Sequence, residues 1–256
     1  MKALKKTLAA VAATALFSIG TSAQAGVIID LFNDVPLQEV NTKTTDSIPN
    51  NSHVANANAL GGFRDAYIVH TAGGGFSYAE IGQNTLGENS LTIGNGPGDK
   101  SDVYITWNGD HAVGANYLNV TKYGLNGADL TFGGADSFLA NVLRTDKAFE
   151  YSISIWDMDG DYSKLSAAVL YELPLPAPSP DVYPATYLFD WFNKETKIGH
   201  FEGGLTFDIF RDTWKFGSNG VVDFNNIGAI QLHLSSTAVA ADFALGSVSS
   251  IPEPGT

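Results

Sequence analysis

Phe149-Glu150-Tyr151-Ser152-Ile153-Ser154-Ile155-Trp156 is the stretch whose pattern decides the fold. Its odd positions are apolar and its even ones are Glu, Ser and Ser until Trp156, so successive side chains point to a buried face and a wet face in turn. Ala229-Ile230-Gln231-Leu232-His233-Leu234 repeats the pattern, with Ile230, Leu232 and Leu234 inward and Gln231 and His233 outward. Antiparallel sheets with one solvated face carry this signature. The expected fold is therefore all-β: an antiparallel two-sheet β-sandwich or jelly roll with long loops.

Working outward, residues 27–32, 66–70, 90–93, 103–107, 117–120, 130–132, 167–173, 205–210 and 242–248 read as further strands, short apolar or β-branched runs between Gly, Asn and Asp clusters. Helix candidates are confined to 136–142 and to the neighbourhood of 187–194, where the aromatic content equally supports a strand. Residues 33–60, rich in Asn, Thr and Ser, read as a long loop or poorly ordered insert. Leu173-Pro174-Leu175-Pro176-Ala177-Pro178-Ser179-Pro180 places proline at every second position, which removes backbone donors and favours extended polyproline geometry. Strand-like sequence resumes after it, so it reads as a surface excursion within one domain.

Lys2, Lys5 and Lys6 precede an uncharged, largely apolar run over 8–20, and Ala23-Gln24-Ala25 then supplies the small-x-small pattern of a signal-peptidase site. Residues 1–25 are thus expected to be a secretory signal cleaved between Ala25 and Gly26, with the sandwich domain over 26–250. A spanning helix wants about 20 apolar residues and this core is shorter, so no stable membrane span is expected. The chain has no cysteine, which removes disulfides, thiol nucleophiles and thiolate metal sites. Without the three signal lysines, 11 basic residues face 27 acidic ones, a formal charge of −16. Such a chain repels nucleic acid and anionic lipid, and attracts divalent cations.

The sharpest cluster is Trp156-Asp157-Met158-Asp159-Gly160-Asp161. Three alternating carboxylates in a turning loop can converge on a hard cation, which makes Asp157, Asp159 and Asp161 the candidate calcium ligands. The helix-loop-helix calcium pattern is not met, because Gly160 precedes Asp161 and position twelve is Ala168. The other reading is an acidic turn whose Asp side chains cap their own backbone. Glycosidic cleavage needs two carboxylates on one face of a cleft. Asp157 and Asp159 would supply them only if the strand ran past Trp156, and no catalytic residue is assigned. Asn108-Gly109-Asp110-His111 reads as a hairpin turn. Asp99 and Asp102 read as solvated residues after a Gly94-Asn95-Gly96-Pro97-Gly98 turn, and His233 as a surface residue. Trp107, Trp156, Trp191 and Trp214 could stack on sugars, although core packing accounts for most of them.

The chain closes on Ile251-Pro252-Glu253-Pro254-Gly255-Thr256, an extended exit from a strand-like run. In a signal-bearing protein this wording resembles the Pro-Glu-Pro box of the PEP-CTERM sorting proteins of Gram-negative bacteria, in which the box opens a C-terminal signal handled by an exosortase. Pro252, Glu253 and Pro254 match the box, so 251–256 is the start of such a signal; the apolar helix and arginine-rich end that follow it in the family are missing. Val222-Asp223-Phe224-Asn225-Asn226-Ile227-Gly228-Ala229-Ile230, followed by Ala241-Asp242-Phe243, is similar to the closing strands of members with jelly-roll-like domains. Gly61-Gly62-Phe63-Arg64-Asp65 is similar to their N-terminal half. The resemblance implies a secreted or cell-surface matrix protein, an exosortase substrate associated with exopolysaccharide and biofilm, with no catalytic residues to carry over. Three functions follow as expectations: a surface module that binds extracellular polysaccharide with calcium assistance, a secreted glycoside hydrolase or lyase, or a self-assembling structural subunit.

Overall fold

The computed structural model describes residues 26–43, 50–55, 59–83, 89–109, 120–135, 137–145, 147, 149–169, 187–189, 203–208, 215–216 and 222–251. In chain order the strands among them are β1 (Ile28–Asp30), β2 (Gln38–Asn41), β3 (Asn51–Ala55), β4 (Phe63–Ala72), β5 (Ser77–Gln83), β6 (Asn89–Asn95), β7 (Lys100–Trp107) and β8 (Ser137–Thr145). They continue with β9 (Phe149–Asp157), β10 (Tyr162–Val169), β11 (Tyr187–Phe189), β12 (Gly203–Asp208), β13 (Lys215–Phe216), β14 (Ile227–Ser236) and β15 (Phe243–Ile251). One sheet runs β11-β12-β8-β15-β6-β5-β2, with β1 added to β15; the second runs β13-β10-β9-β14-β7-β4-β3. Pairing is antiparallel apart from β11 on β12. This is the all-β, two-sheet sandwich of jelly-roll type that the alternation predicts.

The core lies between the sheets. Phe149, Tyr151, Ile153 and Ile155 of β9 and Ile230, Leu232 and Leu234 of β14 turn inward beside Val103, Ile105 and Trp107 of β7. Ile81, Leu91, Ile93, Phe138, Phe243 and Leu245 meet them from the first sheet. Phe149 and Phe243 stack at 4.5 Å between ring centroids and 6° between planes, locking β9 to β15 across the interior. The start of the domain is held as closely. Val27 N donates to Ser250 Oγ at 3.2 Å, Ser250 N donates to Val27 O at 2.8 Å, and any side chain at Gly26 would collide with Ser250 O.

Several sequence expectations change. Residues 136–142 are not helical: β8 occupies 137–145, with Phe138 and Ala140 buried at a spacing of two, so tertiary pairing overrides the helix propensity of Leu and Ala. The 33–60 segment carries β2 and β3, which the polar composition hid, because Gln38 and Asn41 are buried polar residues satisfied by hydrogen bonds. Residues 130–132 form a turn in which Asp129 caps the amide and hydroxyl of Thr131. Asn108-Gly109 is not a hairpin, although Gly109 has φ 61°, because β7 is already paired on both edges by β4 and β14. Asp110, His111, the proline run, Trp191, Trp214, 117–119, 1–25 and 252–256 lie outside the described residues.

Two buried polar knots hold the ends of the sandwich. Arg64, fully buried on β4, donates from Nη1 to Asp30 Oδ1 and Oδ2 at 3.0 and 2.9 Å, from Nε to Gln38 Oε1 at 2.7 Å, and from Nη2 to Asp34 Oδ2. Trp107 Nε1 and the Phe32 amide add donations to Asp30 at 2.7 and 2.8 Å. Asp99 is the second knot, buried rather than solvated: Gly75 N reaches Oδ1 at 2.8 Å, Phe76 N reaches Oδ2 at 2.9 Å, and His70 Nε2 lies 3.1 Å from Oδ1.

The amide of Gly75 foremost, with that of Phe76 and the imidazole of His70, holds the Asp99 carboxyl below its ordinary value against the opposing effect of burial. A lowered carboxyl contributes stability that is present above its unfolded pKa, about 3.9, and lost as pH falls through the lower folded value. Asp99→Asn should therefore melt below the wild type at neutral pH, and the gap should narrow in acid below about pH 4. Melting curves across pH for both proteins check this.

Candidate functional site

The outward positions of the second sheet fall into cross-strand rows fixed by register. One row reads Asn51, Tyr67, Tyr104, His233 and Ser152 across β3, β4, β7, β14 and β9. The next reads His53, Asp65, Thr106, Gln231, Ser154 and Lys164, reaching β10. Beyond it Trp156 stands between Ala229 and Tyr162. The period of two places these residues on the face away from the core.

Aromatic side chains stand over a low polar floor on that face. Tyr104 and His233 stack at 4.3 Å with 5° between planes, and Tyr67 leans on Tyr104 at 6.4 Å. Trp156 and Tyr162 form a second group, 5.1 Å apart. All five are half-buried. Between them Ser152, Thr106, Ser154 and Gln231 keep only 3%, 5%, 6% and 7% exposure although they point away from the core. Gln231 Nε2 donates to Thr106 Oγ1 at 3.0 Å. Ser154 Oγ and the Tyr162 hydroxyl are 3.4 Å apart.

Two buried polar atoms on this floor have no hydrogen-bond partner among the described residues: Ser152 Oγ and His233 Nε2, on residues directly opposite each other. His233 Nε2 is 3.3 Å from Asp102 Oδ2, within ion-pair reach but outside hydrogen-bond alignment. Asp102 also accepts from Ser235 Oγ at 2.6 Å. Burial pushes the Asp102 carboxyl up, but His233 and Ser235 together outweigh it and hold the group below its ordinary value. Asp102 is thus engaged rather than solvated, and His233 is a stacked member of this face rather than an isolated surface residue.

Ser152, His233 and Asp102 are the residue types of a nucleophilic triad, yet the arrangement lacks its parts. His233 turns toward Tyr104 and Asp102, and Ser152 Oγ makes no hydrogen bond to it. The strands carrying Ser152 and His233 are paired on both sides, so their amides are committed to the ladder where an oxyanion hole would need them. Polar and aromatic groups in this geometry can hold a ligand that offers both hydroxyls and apolar ring faces.

The acidic turn closes around one carboxylate. Strand β9 ends at Asp157, whose carboxylate is buried and directed at main-chain amides: Oδ1 accepts from Asp159 N at 3.0 Å and Asp161 N at 2.8 Å, and Oδ2 from Asp223 N at 3.0 Å. Gly160 turns the chain with φ 86°. Asp157, Asp159 and Asp161 are adjacent, but among the described residues no three His, Asp or Glu side chains converge as metal ligands.

No protein-family model matches the chain, and no curated protein matches it. Among solved structures it is similar to the family 11 carbohydrate-binding module of the cellulosomal cellulase Lic26A-Cel5E of Clostridium thermocellum, at 7% identity and a TM-score of 0.36, over 89% of this chain and 95% of that one. A family 11 module from the same organism, in complex with a β-1,3-1,4-mixed-linked tetrasaccharide, gives 8% identity and a TM-score of 0.32 over 83% and 95%. An exo-β-agarase gives 11% identity and a TM-score of 0.32, over 91% of this chain and 26% of that one. At these scores the likenesses carry no argument about ligand or activity.

Sequence reasoning assigned Ser152, Ser154, Gln231 and His233 to outward faces but did not assemble the face. Tyr67, Tyr104 and Thr106 join it only through register, which the alternation of single strands does not specify.

Proposed function

We propose that this chain is an exported β-sandwich module that binds glycans on the outer face of its second sheet. The observation that carries the reading is the polar floor of Thr106, Ser154 and Gln231, flanked by the Tyr104–His233 stack and the Trp156–Tyr162 pair. Sugars combine hydroxyls with flat C–H faces that pack on aromatic rings.

Native affinity electrophoresis in gels containing neutral polysaccharides tests the reading. Wild-type protein should be retarded by at least one, and Tyr104→Ala should lose about tenfold or more in affinity, as befits removal of a central aromatic anchor. Unretarded migration of the wild type through glucan, xylan, mannan and galactan gels would refute it.

Export through the 1–25 signal and sorting through Pro252, Glu253 and Pro254 belong to the same proposal: a binding module displayed at a Gram-negative cell surface, acting in exopolysaccharide or biofilm. The support is the signal pattern and the box resemblance alone. Fractionation of the producing cells tests it, with the protein expected in the outer surface or medium and not in the cytoplasm.

A further inference from the structure

We infer that the face selects a linear, uncharged polysaccharide laid obliquely across the strands, from the Tyr67–Tyr104–His233 group to the Trp156–Tyr162 pair, and disfavours uronic-acid polymers. The inference rests on the glycan-binding reading above and deepens it.

The span follows from register. Tyr104 pairs with His233, which pairs with Ser152 of β9, and Trp156 lies four residues further along β9. Two strand spacings and four strand residues make a diagonal of about 16 Å. A disaccharide does not bridge that distance, whereas a chain of about four pyranose rings does. Gln231 and Ser154 lie on the floor between the two aromatic groups, so a ligand resting on both must pass over an amide and a hydroxyl. A compact or branched ligand could use one group only, and would leave the other in water.

Charge sets the second half. The outward positions of β4, β7, β14, β9 and β10 carry Asp65, Asp102 and Glu150 against Lys100 and Lys164, and Lys100 Nζ donates to Thr237 O at 2.6 Å. His53 faces Asp65 and His233 faces Asp102, so each histidine is already matched to a carboxylate. Uronate recognition needs cationic donors, best arginine, to meet the carboxylates of the ligand. No arginine occupies the outward positions of these rows, and the mature chain is strongly acidic. Neutral hydroxyls suit the amide, hydroxyl and carboxylate acceptors that are present.

Isothermal titration with ladders of linear β-1,4-glucan, β-1,4-xylan and β-1,4-mannan fragments of one to six sugars, and with polygalacturonate, tests the inference. In the ladder that binds, affinity should be very weak up to the disaccharide, climb by about tenfold or more as the fragment reaches both aromatic groups, and then level off. Trp156→Ala should remove most of that climb, Trp156→Phe should restore much of it, and polygalacturonate should bind at least tenfold more weakly, by roughly 1.4 kcal/mol. A disaccharide as tight as the hexasaccharide, or polygalacturonate as tight as the neutral polymer, overturns the inference and leaves glycan binding standing. Silence from every polymer and fragment overturns glycan binding itself.

Discussion

Substituting Arg64 by leucine is expected to cost about 3 to 5 kcal/mol of folding stability, the usual penalty for removing one partner of a buried ion pair. In a domain of this size that is a fall in melting temperature of roughly 10 °C. The substitution strips Asp30 of its bidentate donor, Asp34 of an ion-pair partner and Gln38 of the Nε donation, all at a site without water access to Arg64. Burial already pushes the Asp30 carboxyl above its ordinary value, and the charge of Arg64 is the largest opposing influence, ahead of Trp107 and the Phe32 amide. Without Arg64 the carboxyl rises further. A group whose folded pKa exceeds its unfolded one loses stabilising contribution as pH rises, so the variant's deficit should be smaller in acid than at neutral pH. Lysine should not rescue, because one ammonium cannot replace the planar fork that reaches three side chains. Denaturant melts of the wild type, Arg64→Leu and Arg64→Lys check all three statements.

Truncating Asp157 should be the next most damaging change, at about 2 to 4 kcal/mol. Its two carboxylate oxygens accept three main-chain donations, from Asp159, Asp161 and Asp223, and hydrogen bonds to a charged acceptor contribute about 1.5 to 3 kcal/mol each before the released amides find water. Asp157→Asn keeps one acceptor oxygen and should lose less than Asp157→Ala. Thermal melts of both rank them. Calcium at this turn stays a separate proposal with its own test. If Asp157 only caps the turn, chelator leaves the melting curve unmoved; a calcium-dependent rise that disappears in Asp159→Asn or Asp161→Asn would put an ion there.

Alternation in β9 and β14 was enough to read the sandwich because each strand has one dry face, and a period of two survives in any window of six residues. Strand β2 was illegible for the opposite reason. Only Val40 of its inward residues is apolar, and the other, Gln38, is tolerated because Arg64, 26 residues away in sequence, binds it in a satisfied knot. Strand β8 failed through propensity, since Leu and Ala favour a helix until a neighbouring strand offers a ladder. The acidic turn was legible as a pair of alternatives; Asp157 caps main-chain amides, and the cation reading stands as a proposal. The proposed face was legible only in fragments: Ser152, Ser154, Trp156, Gln231 and His233 could be named but not brought together, because a row across five strands is a long-range property that no local stretch encodes.

The same logic explains why the opposite sheet offers a poorer site. Glu39 and Glu80 face each other directly across β2 and β5, and Glu80 is pushed above its ordinary value by burial first and by Glu39 second. Like charges in register repel, so this edge resists strand addition more readily than it attracts a sugar.

The most direct measurement is an amide chemical-shift titration of isotopically labelled protein with a neutral glycan fragment of about four sugars, the length that spans the two aromatic groups. The account predicts saturable shifts concentrated at Tyr104, Thr106, Ser152, Ser154, Gln231 and His233, with Glu39, Glu80 and Thr92 unmoved. Shifts centred on the first sheet, with the second-sheet row silent, would contradict it.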